Sequence, residues 1–325
     1  MNWHYTANIK RRFEAVFGEA FRLNQPLAKF TSVRVGGSAE MFLTVQSANE
    51  LQTAVELAQT LDVPYFILGG GSNILIADGG IRGLTILNRA KKVTFRNTGA
   101  GIRCRVESGA NLSSLARNCI GKGFGGLEWA IGIPGTVGGA VVNNSGAHGS
   151  DISSTLINAT IWDPNQGVRI YELEELAYEY RNSILKQEHQ DGQAMRVVLS
   201  ADLELKPEPT RLLLARADAF TAHRKESQPS GATMGSMFKN PEHFYAGYLI
   251  EAAGLKGERI GGVTVSEKHA NFFICDQHAS AEDIREMIAE VWHAVREQFG
   301  VELEPEIELI GDWQFEEAEP YQGNG

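Results

Sequence analysis

The stretch VPYFILGGGSNILI, residues 63–76, decides the fold that we expect for this chain. Its β-rich apolar run predicts a buried strand, and apolar residues at helical spacing precede it: Leu51, Ala54, Val55, Ala58 and Leu61. The strand leads into GGGSN, residues 69–73. Because glycine has no Cβ, such a loop can bring consecutive backbone N–H groups to a pyrophosphate without the help of lysine. The loop is neither a GxGxxG crossover nor a P-loop, and a plain tight turn is the alternative interpretation.

A second glycine-rich stretch, GFGGLEWAIGIPGTVGGAVVNNSGAHG, covers residues 123–149. Its nine glycines are too many for the interior of a helix or strand, whereas its apolar and aromatic residues argue against a disordered linker. We therefore expect an ordered, close-packed loop that offers further backbone amides together with Asn143, Asn144 and Ser145. Two such loops in one domain indicate a ligand that is held along its length.

Composition limits the kinds of partner that the protein can have. The 325 residues carry 30 Lys and Arg against 40 Asp and Glu, a net charge of −10, which argues against nucleic acid and membrane surfaces. The three cysteines are an odd number without CxxC spacing, so neither a disulfide framework nor a structural metal site is indicated. The sequence shows neither a signal-peptide h-region nor eighteen uninterrupted apolar residues. We expect a cytoplasmic protein that is neither exported nor inserted in a membrane.

The chain length and the punctuation of the sequence predict two main domains. A helical lead-in over residues 1–20 precedes a β-rich first domain over 21–206, where KPEPT marks a boundary. The second domain, over 207–311, contains a long helix predicted at 281–299, with Ser280 as its N-cap and Gly300 at its end. Residues 312–325 form an acidic polar tail.

Seven motifs, in this order, resemble those of the UDP-N-acetylenolpyruvoylglucosamine reductase (MurB) family. They are FTSVRVGGSAE (30–40), ILGGGSNILI (67–76), GLEWAIGIPGTVGGAVVNNSGAHG (126–149), YEYRNSIL (178–185), GSMFKNP (235–241), GLKGERIGGVTVSEKHANFFI (254–274) and LEPEIELIG (303–311). The resemblance extends from about residue 20 to 311. It implies an α+β fold, in which a two-lobed FAD-binding module of the vanillyl-alcohol-oxidase (PCMH) type is followed by an α+β substrate-binding domain.

The resemblance also implies FAD as the cofactor and NADPH as the hydride donor. The residues that would bind FAD come from both glycine-rich loops: Gly69, Gly70, Gly71, Ser72, Asn73, Gly132, Pro134, Gly135, Gly138, Gly139, Asn143, Ser145 and Gly146. Covalently flavinylated relatives have a histidine in the first loop, where this chain has Ser72 and Asn73, so we expect FAD to be bound non-covalently. The compact segment 241–257 resembles the subgroup without an extra tyrosine-bearing loop. His148 stands where the family often has tyrosine, and the sequence assigns it no role.

Three residues match the family's catalytic positions: Arg181, Ser236 and Glu306. The reaction delivers hydride to an enolpyruvyl ether and leaves an enolate, and a fixed donor aimed at developing negative charge is worth about 3–4 kcal/mol. A guanidinium suits the carboxylate, and the serine hydroxyl would protonate the enolate carbon. In isolation each residue has an ordinary explanation: a surface ion pair, a turn and a strand-end carboxylate. Glu304 lies two residues from Glu306, and spacing alone does not choose between them.

A uridine diphosphate substrate requires local positive charge on a negative protein. The resemblance implies substrate contacts by Tyr180, Arg224, Gln228 and Asn240, and Lys239 is a further cation nearby in the sequence. Lys225 is an additional candidate that is equally consistent with a solvated side chain. His269 and Asn271 belong to the HANFF segment and receive no individual role. We expect a monomer that binds a small-molecule substrate and no metal.

Two other classes of function stay open at this stage. One is a flavin-dependent oxidase on the same FAD module, which would pass electrons to oxygen. The other is a flavin or nucleotide sensor without turnover. The set of Arg181, Ser236 and Glu306 favours the reductase over both alternatives.

Overall fold

The computed structural model describes residues 6–190 and 195–313 of the chain. The α-helices are α1 (Ala7–Phe17), α2 (Ala48–Thr60), α3 (Leu112–Gly121), α4 (Val137–Asn143), α5 (Ile184–Gln190), α6 (Thr210–Ser227), α7 (Ala246–Ala252) and α8 (Ala281–Phe299). The longer strands are β1 (Phe21–Pro26), β2 (Ser38–Val45), β3 (Tyr65–Leu68), β4 (Ile74–Ile76), β5 (Ile81–Asn88), β6 (Val93–Asn97), β7 (Ile102–Glu107), β11 (Leu156–Asp163), β12 (Gly167–Glu172), β13 (Val197–Pro207), β15 (Val263–Val265), β16 (Phe273–Cys275) and β17 (Glu308–Ile310). Two-residue strands are β8 (Phe124–Gly125), β9 (Gly146–Ala147), β10 (Ser150–Asp151) and β14 (Arg259–Ile260).

The strongly periodic segments fold as the sequence predicts. Helices α2 and α8 bury apolar faces as predicted, and α8 begins at the N-cap Ser280 and ends at a left-handed Gly300. Of the predicted lead-in over residues 1–20, Ala7–Phe17 is helical and residues 1–5 lie outside the described part. Most of the polar tail, from residue 314 onward, lies outside it as well.

The prediction that residues 123–149 contain no helix is wrong, because α4 runs through two glycines of this stretch. Thr136 caps the helix by accepting from the N–H of Gly139. A Cβ on Gly138 would lie 2.9 Å from the Cβ of Ser108, so glycine is needed here for α4 to pack closely on the segment that contains Ser108. The capping residue and the tight packing outweigh the low helix propensity of glycine.

Contacts divide the chain into two compact units. Unit 1 consists of residues 1–23, 41–70 and 83–223, and unit 2 consists of 24–40, 71–82 and 224–325, each with reference to the described residues. The division differs from the sequence-based boundary at 206, since unit 1 extends through most of α6 to residue 223 and two earlier segments belong with the C-terminal part. These segments are distant from residues 224–310 in the sequence, so no local pattern reports the association.

Unit 1 contains two larger sheets, the two-stranded sheet of β9 and β10, and two hydrophobic cores, while residues 24–26 of β1 and 38–40 of β2 are assigned to unit 2. The larger sheet has the order β12-β11-β13-β7-β6, and β8 pairs with the end of β13. Its core lies against α3 and α4 and includes Leu115, Val141 and Leu203. The smaller sheet has the order β1-β2-β5-β3, in which β3 and β5 are parallel. Its core includes residues of α1 and α2, such as Phe13 and Leu51.

Unit 2 is held together by a short antiparallel sheet, a helix pair and one parallel strand pair. The sheet has the order β14-β15-β16, and its core contains residues of α7 and α8. Strand β4 pairs with β17 in parallel, with Ile74 opposite Glu308. Asp78, which follows β4, accepts at 3.2 Å from the N–H groups of Ala281 and Glu282 and so caps α8. These contacts explain why segment 71–82 belongs to this unit.

Within residues 6–190 and 195–313, every helix is too short or too polar to cross a bilayer.

Candidate active site

The two glycine-rich loops meet within unit 1. A Cβ on Gly69 would lie 2.6 Å from the hydroxyl of Thr136, and a Cβ on Gly70 would lie 2.7 Å from the Cα of Gly135. Real Cβ atoms essentially never approach another heavy atom this closely. The obstacle is backbone at Gly70, whereas at Gly69 it is the Thr136 hydroxyl that caps α4. The missing side chains allow one loop to pack on the other, in addition to leaving backbone accessible to a ligand.

Several of the amides that the sequence offers to a pyrophosphate already donate within the protein. The N–H of Val137 donates to the carbonyl of Ala110 at 2.9 Å, and that of Gly138 donates to Ser108 at 2.7 Å. The N–H of Gly132 donates to the hydroxyl of Ser113 at 2.8 Å. These internal bonds fix the shape of the second loop, in which Gly132, Pro134 and Gly139 are exposed. The N–H groups of Gly132, Val137 and Gly138 are therefore already paired within the protein.

The second loop nevertheless offers polar atoms that a cofactor can satisfy. The side-chain oxygens of Asn143 and Asn144 are buried, and each lacks a hydrogen-bond partner among the described residues. The amide nitrogen of Asn143 donates to Gly139 at 3.1 Å, which fixes the orientation of the side chain. Since a buried acceptor without a donor is costly, a bound group with hydroxyl or imide N–H donors is favoured here. FAD carries both kinds of donor, so these residues fit the predicted cofactor. Ser145 and Gly146 lie in the segment that follows, where the carbonyl of Ser145 accepts from the N–H of Ile152.

The other half of the first loop belongs to unit 2 and has a different structural role. A Cβ on Gly71 would lie 2.1 Å from the carbonyl oxygen of Phe30, and the carbonyl of Gly71 accepts from Ser32 at 2.9 Å. The hydroxyl of Ser32 is buried and has no partner in the described part of the chain. Sequence reasoning assigned no role to Ser32, although it lies in the first of the seven motifs. Its hydroxyl is a further polar atom that a ligand near Ser72 can satisfy.

Arg181 occupies a strained position in a tight turn of unit 1. Glu179 and Asn182 exchange main-chain hydrogen bonds at 3.2 Å, which makes Tyr180 and Arg181 the two central residues of the turn. The φ angle of Arg181 is 56°, a left-handed conformation that costs a residue other than glycine about 1–3 kcal/mol. The guanidinium donates to the carbonyl of Gly146 at 2.8 Å. Tyr180 is exposed, with the guanidinium 5.6 Å from its ring centroid.

Helix α4 and the residues after it hold this turn in place. The hydroxyl of Tyr178 donates to the carbonyl of Val141 at 2.8 Å, and Ser183 donates to that of Val142 at 2.5 Å. Burial raises the pKa of Tyr178, which keeps this hydroxyl a donor. The amide of Asn144 donates to the carbonyl of Glu179 at 3.0 Å. The predicted catalytic arginine is therefore supported by the same glycine-rich loop that offers buried acceptors to a cofactor.

Ser236 and Glu306 lie on neighbouring segments of unit 2. The N–H of Glu306 donates to the carbonyl of Met237 at 2.8 Å, and the N–H of Lys239 donates to Glu304 at 2.8 Å. This antiparallel pairing places Glu306 beside the residue that follows Ser236. Both Ser236 and Glu306 are half-buried. The structure thus brings together two of the three predicted catalytic residues within one compact unit, while Arg181 belongs to the other.

The structure distinguishes Glu304 from Glu306. The carboxylate of Glu304 is exposed and forms an ion pair with the ammonium group of Lys239. The regular strand β17 begins only at Glu308, so Glu304 and Glu306 do not belong to one regular strand. Of the two glutamates, only Glu306 combines partial burial with direct pairing to Met237. Its position is the more suitable for assisting Ser236.

The predicted substrate-binding residues lie in different surroundings. Asn240 uses its side-chain oxygen to accept from the N–H of Ala246 at 3.1 Å, at the start of α7. Burial lowers the pKa of the half-buried Arg224, whose carbonyl accepts from the N–H of Gln228 at 2.9 Å. Lys225 is exposed, and its carbonyl accepts from the ammonium group of Lys268 at 2.5 Å.

A second buried hydroxyl without a described partner belongs to Thr233, three residues before Ser236, and sequence reasoning missed it.

His148 has an evident structural place. With Gly149 it forms the turn between β9 and β10, where the φ angles of the two residues are 55° and 79°. Its ring stacks on Phe220 of α6 at 4.2 Å between centroids and contacts His223 edge-on at 5.5 Å. The aromatic stacking explains how a histidine can occupy a position where an aromatic residue is otherwise expected.

Two family models match the chain. Residues 39–170 match the model described as FAD binding domain, and residues 227–310 match the C-terminal domain of UDP-N-acetylenolpyruvoylglucosamine reductase. With the buried acceptors of the second glycine-rich loop, the first match defines an FAD-binding flavoprotein of the α+β class. The predicted fold class and cofactor are thereby confirmed.

The chain is also similar to whole proteins. It is 40% identical over 291 residues to UDP-N-acetylenolpyruvoylglucosamine reductase of Nostoc punctiforme, covering 89% of this chain and 85% of that protein. It is 37% identical to the enzyme of the same name from Listeria welshimeri, covering 94% and 99%. The crystal structure of the reductase (MurB) from Thermus caldophilus matches with a TM-score of 0.74 and 31% identity, covering 89% and 98%. The chain belongs to the UDP-N-acetylenolpyruvoylglucosamine reductase family.

Proposed function

We propose that the protein reduces UDP-N-acetylenolpyruvoylglucosamine to UDP-N-acetylmuramate with NADPH, as a step in the formation of peptidoglycan precursors. The observation that carries the proposal is the pairing of Glu306 with Met237, which joins the predicted proton donor and its acidic partner in one unit. FAD would be held by the two glycine-rich loops, where it would supply hydride transfer from the nicotinamide to the terminal carbon of the enolpyruvyl group. The remaining requirements of the reaction fall on side chains of this chain.

Ser236 supplies the proton that completes the reduction. Hydride addition to the terminal carbon leaves an electron pair on the adjacent carbon, delocalised into the carboxylate as an enolate. Transfer of the hydroxyl proton to that carbon forms the new C–H bond and leaves the serine oxygen negative until it is reprotonated. Glu306 assists by hydrogen bonding or proton transfer beside this segment. Positioned general acids of this kind contribute about 10²–10⁴-fold.

Arg181 is proposed to stabilise the enolate through the substrate carboxylate. Its role rests on the YEYRNSIL motif and on its own left-handed conformation, since strained backbone outside glycine is concentrated at functional positions. The planar guanidinium can donate two parallel hydrogen bonds to a carboxylate, which an ammonium group cannot do.

Binding of the uridine diphosphate group is proposed for Tyr180, Arg224, Gln228, Lys239 and Asn240. The exposure of Tyr180 supports a contact with a ligand, and the partial burial of Arg224 supports a directed charge rather than a solvated one. The positive charge of Lys239 is shared with Glu304, so a phosphate group would compete with that carboxylate.

Measurements of flavin content and of turnover on the purified protein test this function. The visible spectrum should show flavin bands, and acid precipitation should leave the yellow colour in the supernatant, because we propose non-covalent FAD. NADPH should then be consumed in proportion to the enolpyruvyl substrate, with a product of the mass of UDP-N-acetylmuramate. Rapid oxygen consumption with an alcohol or sugar would indicate the oxidase alternative, whereas FAD binding without consumption of substrate would indicate a sensor.

Other expectations from the sequence stay predictions. They are a monomeric protein, a cytoplasmic location and membership of the subgroup without the extra tyrosine loop. Initial rates with NADPH and NADH, measured side by side, establish the preference between the two nicotinamides.

A further inference from the structure

Asn271 makes several hydrogen bonds with the segment that follows Ser236. Its side chain is buried, with 3% exposure, and lies just before β16. Its oxygen accepts from the N–H of Phe238 at 2.9 Å, and its nitrogen donates to the carbonyl of Phe238 at 2.8 Å. Its main-chain carbonyl accepts from the N–H of Met237 at 2.9 Å. One residue thus supplies three hydrogen bonds to two consecutive residues.

These bonds complete the pairing of the segment 237–239. Glu306 and Glu304 bond to Met237 and Lys239 on one edge of the segment, and Asn271 bonds to the other edge. The amide side chain takes the place of a neighbouring strand, because it presents one acceptor and one donor to the N–H and the carbonyl of the same residue. The ring of Phe238, 1% exposed, packs edge-on against Phe273 at 6.4 Å. The segment is therefore held by packing and on both hydrogen-bonding edges.

Asn271 is itself fixed by the loop that precedes β16. The N–H of Ser266 donates to the carbonyl of Phe272 at 2.9 Å, which closes the loop. The hydroxyl of Ser266 accepts from the N–H groups of Lys268 and His269 at 3.1 and 3.3 Å. The N–H of Asn271 donates to the Nδ1 atom of His269 at 3.3 Å. Burial lowers the pKa of His269, which favours the neutral ring that can accept this bond.

We infer that Asn271 is the positioning residue for the proton donor Ser236, acting through the two hydrogen bonds between its side-chain amide and the main chain of Phe238. The inference rests on the proposed function. Asn271 would act through this segment and not by contact with the reacting atoms. The physical reason for such a residue is that a displacement of about 1 Å at a reacting group can cost roughly 100-fold in rate.

The variant Asn271→Asp tests the inference, because its behaviour depends on the protonation of the new side chain. A neutral carboxyl group has one acceptor and one donor and can make the same two bonds as the amide. An ionised carboxylate has acceptors only and lies against the carbonyl of Phe238. The rate of flavin reoxidation by the enolpyruvyl substrate should therefore fall by roughly 10- to 100-fold relative to the parent protein as the pH rises. Reduction of the flavin by NADPH should keep the parent profile.

Measuring the parent protein and Asn271→Asp over the same pH range separates the ionisation of residue 271 from that of its titratable neighbours. His269, Lys239, Glu304 and Glu306 are present in both proteins, so the ratio of the two pH profiles removes their contributions. Hydrogen exchange of the peptide spanning 236–239 gives a readout that needs no FAD. It should become faster in Asn271→Asp as the pH rises, after correction for intrinsic exchange. Ser280→Ala serves as a control that removes the cap of α8 in the same unit without touching segment 236–239.

Each possible result either supports or overturns the inference. A pH-dependent loss confined to reoxidation, with faster exchange at 236–239, supports it. Equal loss in both half-reactions, loss of FAD, or a profile equal to that of the parent protein overturns it. If the aspartate variant does not fold at high pH, Asn271→Ser should show the selective loss of reoxidation at every pH, and normal reoxidation would overturn the inference. If the parent protein does not react with the substrate, the proposed function fails, and hydrogen exchange still reports whether Asn271 holds the segment.

Discussion

The side-chain amide of Asn73 donates to the main-chain carbonyl of Glu306 over 3.1 Å, joining residues that are 233 positions apart in the sequence. The main-chain carbonyl of Asn73 accepts at 3.0 Å from the N–H of Glu308. A residue that the sequence assigns to FAD therefore also fixes the segment of a proposed catalytic glutamate. The pairing of β4 with β17 starts at this point.

Asn73→Ala should separate the two roles of this side chain. If the amide mainly holds Glu306, the variant should retain most of its FAD, unfold with a free energy lower by about 1 kcal/mol, and react more slowly with the enolpyruvyl substrate. Flavin content, thermal unfolding and both half-reactions are to be measured on the same preparation. Loss of FAD with normal reoxidation of the residual holoprotein would instead support the cofactor role alone.

The two neighbouring glutamates provide a matched pair of variants. Glu306→Gln should slow reoxidation by the substrate by roughly 10²–10⁴-fold, because Gln cannot take part in proton transfer. Glu304→Gln removes an ion pair between Lys239 and an exposed carboxylate, so its effect on the rate should stay below about fivefold. Stopped-flow reoxidation decides between them. A large loss in Glu304→Gln with a normal Glu306→Gln would reverse the assignment.

How far the sequence predicts the fold depends on the range of the interactions involved. Helices α2 and α8 follow from apolar spacing and from caps that lie within each segment. Helix α4 does not, because Gly138 is required by the closeness of Ser108, which only the folded structure brings near. The association of residues 71–82 with the C-terminal part likewise depends on pairing between strands that are far apart along the chain. Segment 24–40 joins the same unit through Val33 and Val35, which belong to the core that contains residues of α7 and α8.

The candidate site shows the same limit. The types and motifs of Ser236 and Glu306 are visible in the sequence through the family resemblance, but their pairing through Met237 is visible only in the structure. Asn271 carries no signal of its own in the sequence, since an asparagine in a loop most often makes local bonds. Its role depends on Phe238, which lies 33 residues earlier.

A prediction of stability concerns the buried carboxylate of Asp163 in unit 1. It accepts from the hydroxyl of Tyr171 at 2.9 Å, from Arg196 at 2.8 Å and from the N–H of Asn165 at 2.8 Å. Burial alone would raise the pKa of Asp163, but these hydrogen bonds outweigh it and lower the pKa. Asp163→Asn should reduce the free energy of unfolding by about 2–3 kcal/mol near neutral pH.

The pH dependence of this effect has a definite sign. A carboxyl group whose pKa is lower in the folded state stabilises the protein above its unfolded pKa of about 4, and this contribution is lost as the pH falls through the folded value. The difference between the parent protein and Asp163→Asn should therefore shrink on acidification. Denaturant unfolding at several pH values measures it, with Glu14→Gln, which removes an exposed ion pair to Lys10, as the control. A difference that stays constant down to low pH would contradict the assignment.

Arg181→Lys tests whether the geometry of the guanidinium matters beyond its charge. Lysine keeps the charge but cannot donate two parallel hydrogen bonds to a carboxylate, so reoxidation by the substrate should slow by roughly 10²–10³-fold. Flavin reduction by NADPH should change little. Arg105→Lys, at an exposed arginine of the same unit, should behave as the parent protein. Equal rates in Arg181→Lys and the parent protein would show that charge alone is sufficient.

The role of Ser236 follows from the two half-reactions measured separately. Reduction of the flavin by NADPH needs no acid at the substrate carbon, so Ser236→Ala should leave it near normal. Reoxidation by the enolpyruvyl substrate should slow by roughly 10²–10⁴-fold or more, because the enolate loses its proton donor. Ser236→Cys should retain part of the rate, since a thiol of similar size can also donate a proton. Equal slowing of both half-reactions in Ser236→Ala would indicate a displaced flavin. No slowing would leave Ser236 as a residue that shapes the loop beside Gly235, whose φ angle is 89°.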